Sequence, residues 1–95
     1  MKEKQIKKLI EKNGRESELI VCMEEPAELI QAIAKCERSR LGDEFASDDL
    51  DNLYEEIADV KICIRLLTRL YRLDPNRIKA YERMKEARLI KRYKL

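Results

Sequence analysis

The sequence predicts an all-α fold, an antiparallel four-helix bundle in one domain spanning residues 1–95, and three observations carry that expectation. Only two Gly and two Pro interrupt a chain in which 42% of residues are charged and none is Trp, a composition that suits helices with few turns. Apolar residues recur at three- and four-residue intervals rather than in alternation, which is the helical period. Turn and cap residues gather at a few places only, dividing the chain into four segments.

The first segment, residues 2–12, sets Ile6, Leu9 and Ile10 on one side and stops at Asn13-Gly14, a natural C-terminal signal. The second runs over 16–38, and a charged, Gly-containing stretch at 39–47 forms the first real loop. Ser47, Asp48 or Asp49 can cap a third helix that continues to about residue 73. Asp74-Pro75 supplies an N-cap followed by Pro at the first helical position, opening a fourth helix to about residue 93. Pro26 falls inside the second segment, where it removes a hydrogen bond and crowds the preceding turn at a cost of about 3 kcal/mol. Either the helix kinks there or a new one starts with Pro26 in its first turn. The buried pattern of residues 19–23 favours the kink.

The third segment says most about architecture. Leu53, Ile57, Val60, Ile64, Leu67 and Tyr71 alternate at four and three residues as a packing seam. Ile62, Leu66, Leu70 and Leu73 add a second apolar side. A helix apolar on two sides is central in its bundle or lies at a subunit interface. In so short a chain the interface is the economical reading, so homo-oligomerisation is expected.

Two acidic clusters stand out, Glu24-Glu25-Pro26-Ala27-Glu28 and Glu55-Glu56-Ile57-Ala58-Asp59. At about 100° per residue, Glu25 and Glu28 share a helical arc with Val21, Leu29, Ala32 and Cys36. Glu56 and Asp59 share theirs with Asn52, Val60, Cys63, Leu66 and Leu67. A charged, solvated face would put carboxylates opposite the apolar stripe, whereas these lie within or beside it. Burying such groups unpaired is costly, and four converging ones repel. A divalent cation held between two helices resolves both problems, and carboxylate-only ligands point to Mg²⁺, with Mn²⁺ as the alternative. Glu24 and Glu55 lie around the helix from their neighbours, as candidates for an outer contact or a general base.

Composition excludes several other chemistries. Cys22, Cys36 and Cys63 are odd in number, widely spaced and accompanied by no His, which argues against zinc and for reduced core residues. The N-terminus shows no hydrophobic signal region and no apolar run approaches membrane-spanning length, so a cytoplasmic protein with no membrane partner is expected. The net charge of +2 hides a gradient from an acidic middle third to a basic stretch over 77–95. A basic tail beside an acidic site suits a polyphosphate substrate. Nucleic-acid binding through that tail is disfavoured, because neither a helix-turn-helix signature nor interleaved aromatics accompany the charge.

The ordered pair Glu24-Glu25-x-x-Glu28 and Glu56-x-x-Asp59, set among Leu29-Ile30-Gln31-Ala32-Ile33 and Ile57-Ala58-Asp59-Val60, resembles the MazG-like all-α nucleoside triphosphate pyrophosphohydrolases. Their superfamily also includes dUTPase and phosphoribosyl-ATP pyrophosphohydrolase. The resemblance covers roughly residues 18–73. It implies a MazG-like helical bundle and Mg²⁺-dependent cleavage of a nucleoside triphosphate between the α and β phosphates. Carried over, Glu25, Glu28, Glu56 and Asp59 are metal ligands, Glu24 joins them as a catalytic residue, and the protein is a homodimer or homotetramer. Lys35, Lys85 and Arg88 are the expected phosphate contacts, with Lys79 and Arg83 competing. Phe45, Tyr54 and Tyr71 are the candidates for stacking on a base. A phosphoribosyl-ATP pyrophosphohydrolase-like enzyme and a non-catalytic helical interaction module are the alternatives.

Overall fold

The computed structural model describes residues 1–42 and 47–95, leaving the candidate Phe45 outside the described residues. Four helices follow one another, α1 (Glu3–Asn13), α2 (Arg15–Leu41), α3 (Ser47–Leu70) and α4 (Pro75–Tyr93), with no strand among the described residues. None of them is long and apolar enough to cross a membrane.

Local chemistry explains most of the boundaries. Gly14 closes α1 and opens α2 at φ +89°, a backbone region that side-chain-bearing residues rarely adopt. Asp74 caps α4 by accepting a hydrogen bond from the Asn76 amide at 2.9 Å, with Pro75 at the first helical position. The third helix ends at Leu70, short of residue 73. Leu73 N–H reaches back to the Thr68 carbonyl at 2.8 Å while Arg72 turns left-handed at φ +52°, a Schellman closure with Arg where Gly is the usual residue. The second helix passes through Pro26 unbroken and continues to Leu41, beyond the expected end at 38.

Helices α2 and α3 lie antiparallel. As the residues of α2 advance through Arg15, Cys22 and Cys36, their partners recede through Tyr71, Cys63 and Asp49. The core gathers Ile6 from α1, Cys22 from α2, and Cys63 and Leu66 from α3, with Leu9, Ile10 and Leu67 packed against them. Farther along the same hairpin, Ala32 and Cys36 are also buried. All three cysteines are free thiols in the interior, as their apolar settings suggested.

Two sequence expectations need correction. Ile57, Ile64 and Tyr71 of the expected seam are exposed at 43%, 50% and 56%. The face of α3 turned to α2 carries Glu56, Asp59, Cys63 and Leu66 instead. Seam counting rewards bulky apolar residues, but the close approach of these helices is made by thiols and carboxylates. The fourth helix buries no residue, so the packed unit of one chain is α1–α3. A radius of gyration of 16.8 Å exceeds the roughly 12 Å of a compact chain this long.

Candidate functional site

Where α2 crosses α3, one turn beyond the Cys22–Cys63 contact, Glu25, Glu56 and Asp59 each place a carboxylate oxygen so that all lie within 4.8 Å of one another. Helical geometry explains the convergence. Glu56 and Asp59 are three residues apart and emerge side by side on α3, while Glu25 faces them from α2. Each is half-buried. Glu28, one turn on from Glu25, is exposed at the rim and acts on both Glu25 and Glu56.

The electrostatics are those of an uncompensated negative site. Glu25 Oε2 and Glu56 Oε2 are buried and accept no hydrogen bond. Loss of water, then the charges of Glu28, Asp59 and Glu56, push the Glu25 carboxyl from an ordinary 4.5 up to about 7. Glu56 is raised by loss of water and by Glu28 and Asp59. The largest influences on both are loss of water and neighbouring carboxylates. Solvated pairs elsewhere behave in the opposite way: Glu37, 2.8 Å from Arg40, is held below its usual value by that guanidinium. The acidic crossing is therefore a place where negative charge is concentrated and left unanswered.

The layer beneath it is neutral. Cys22 Sγ donates to the Cys63 carbonyl at 3.6 Å, and Cys63 Sγ to the Val21 carbonyl at 3.9 Å. Burial, the neighbouring Cys22 and the charges of Glu25 and Asp59 push the Cys63 thiol up to about 12. Both sulfurs are thus neutral packing groups.

The remaining candidates are dispersed. Glu24 and Glu55 face solvent, and neither belongs to the converging group of Glu25, Glu56 and Asp59. Lys35 is exposed about 15 Å along α2 from Glu25, at 1.5 Å per residue. Lys85 and Arg88 lie on α4, which buries no residue, and among the described residues neither they nor Lys35 form an ion pair with the cluster. Tyr54 is exposed, and Tyr71 carries the Arg15 guanidinium 5.2 Å from its ring centre. One residue escaped the sequence reading. Glu18 is buried, with Oε1 accepting from the Asn13 side-chain amide at 2.8 Å. Its signal was available, since Glu18 lies two turns before Glu25 on the same arc.

Compared with models of known protein families, with curated proteins and with solved structures, the chain matches none.

Proposed function

We propose that this chain is a Mg²⁺-dependent nucleotide pyrophosphohydrolase of the MazG-like kind, cleaving a nucleoside triphosphate to a monophosphate and pyrophosphate. The observation that carries the reading is the acidic crossing itself, with two buried carboxylate oxygens that find no partner among the described residues. An all-carboxylate donor set of this spacing suits a hard divalent ion, held by Glu25, Glu56 and Asp59 with Glu28 at the rim. An Mg²⁺ ion held there would supply positive charge for phosphate oxygens and would lower the pKa of water. The chain's own contributions are distinct. Glu25, Glu56 and Asp59 fix the position of charge on two rigid helices. Glu28, exposed and within reach of both Glu25 and Glu56, is the carboxylate best placed to accept a proton from water.

Self-association belongs to the same reading. The chain exposes 8056 Å², against roughly 5,700 Å² for a compact monomer of this mass. The surplus is more than the roughly 800 Å² per partner of a standard interface. It includes Ile30, Ile33, Ile57 and Ile64, exposed at 68%, 49%, 43% and 50% on the two central helices. A homodimer or homotetramer that covers these faces accounts for the surplus. The same surface favours a second reading, a helical interaction module without catalysis.

The deciding experiment is pyrophosphate release from a panel of canonical and modified nucleoside triphosphates, in Mg²⁺ and in EDTA, with the Glu56→Gln variant beside the parent. Metal-dependent release by the parent alone is the expected result. Failure to bind Mg²⁺ and to turn over any substrate moves the assignment to the interaction module.

A further inference from the structure

At the other pole of the hairpin, about 15 Å along α3 from Asp59 at 1.5 Å per residue, a cavity of about 410 Å³ opens between α1, the start of α2 and the end of α3. Lys7, Arg15, Arg69 and Arg72 line it, with Glu11 the one acid among the described residues there. That acid is turned to Lys7 at 4.0 Å. Among the described residues, none of the three guanidiniums has a carboxylate within ion-pair distance.

Two details suggest a built site. Arg15 is held over the Tyr71 ring at 5.2 Å, which restrains a side chain that is otherwise free to turn. Arg72 occupies the left-handed closing position of α3 at φ +52°, where Gly carries no strain. The fold thus keeps a cation at a position whose backbone favours a residue without a side chain. Unlike a lysine, a guanidinium offers a planar fork of donors matched to phosphate oxygens. We propose that this cavity binds a compact polyphosphate anion, either inorganic polyphosphate or the phosphate tail of a nucleotide, through Arg15, Arg69 and Arg72. The site is separate from the acidic crossing and does not depend on the function proposed for it.

The test is calorimetric titration of the full chain with inorganic triphosphate and, separately, with ATP, both in EDTA so that the acidic crossing offers no metal. Arg69→Gln and Arg72→Gly each weaken binding of at least one probe by about tenfold or more. Lys91→Gln with Lys94→Gln, which removes charge from the end of the exposed α4, changes it by less than about twofold. Arg72→Gly also raises Tm, a gain that loss of the fold cannot imitate. Equal affinity for the two probes assigns the site to the phosphate chain alone, and tighter ATP binding assigns it to a nucleotide. No binding of either probe, or equal weakening by the α4 substitutions, overturns the proposal.

Discussion

One helical turn separates two layers of the same hairpin that were built to opposite rules. In the layer of Cys22, Cys63 and Leu66, every group is neutral and buried, and each thiol finds a carbonyl across the helix pair. In the layer of Glu25, Glu56 and Asp59, like charges converge and two buried oxygens go without a partner. The helices that carry both are the same, so neither propensity nor topology explains the contrast. The lower layer contributes the packing that makes the hairpin stable, and that surplus tolerates the unfavourable layer above it. A fold that wanted stability alone would place Leu or Gln at these positions.

The most severe way to test the contrast is to remove the charges. On the proposed function, Glu56→Gln and Asp59→Asn each abolish metal-dependent pyrophosphate release, while far-ultraviolet circular dichroism stays that of the parent. Glu28→Gln is expected to lose turnover yet retain Mg²⁺ binding, because Glu28 sits at the rim. A Glu28→Gln protein that turns over at the parent rate removes it from the role of proton acceptor. Removing packing is the next largest change. Leu66 is 2% exposed, and Leu66→Ala costs about 2–5 kcal/mol, read as a lowered urea midpoint. If Leu66→Ala and Glu56→Gln shift the midpoint in the same direction in EDTA, the two layers do not differ as described.

Much of this was legible in the chain. Asn13-Gly14 and Asp74-Pro75 marked helix ends because their effect is local, a left-handed glycine and a capped first turn. Glu25, Glu56 and Asp59 were legible because a carboxylate on an apolar arc must face a neighbour wherever that helix packs. The neighbour itself was not written locally. Which arc of α3 meets α2 is decided by closeness of approach, so Cys63 and Asp59 turned inward and the bulkier Ile57 and Ile64 outward. Lys35, Lys85 and Arg88 were chosen by residue type and resemblance, and neither fixes a distance across helices. Glu18 needed the position of Asn13 to explain its burial.

A smaller effect follows from protonation. Glu25 titrates near 7 in the folded chain, against an ordinary 4.5. Between those values the folded state keeps a proton that the unfolded state has released, so stability from this group is full below 4.5 and is lost as pH rises through 7. Glu56, also raised, adds to the same slope. In EDTA, thermal stability is therefore expected to decline from mildly acidic to neutral pH, and Glu25→Gln to flatten that decline. On the proposed function, adding Mg²⁺ at neutral pH is expected to stabilise the parent and not the variant, since an ion that binds only the folded state shifts the equilibrium by its free energy of binding. A parent whose melting is indifferent both to pH in this range and to Mg²⁺ contradicts the picture of an unanswered acidic layer.

The finest test lies at the boundary between the layers. Cys63 is 3% exposed, bonds toward Val21 and sits beside Glu25 and Asp59. Its thiol is neutral through the whole physiological range, so its contribution is volume and contact rather than charge. Cys63→Ala then costs about 1 kcal/mol, comparable to deleting one buried methylene, and is expected to leave unchanged the stabilisation by Mg²⁺ that the proposed function requires. Combined with Glu25→Gln in EDTA, its effect adds to that of the single variants within about 0.5 kcal/mol. A larger interaction energy shows that packing below and charge above are coupled through Cys63. Removing sulfur would then alter the spacing of the carboxylates, and the acidic site would owe its geometry to the thiol layer beneath it.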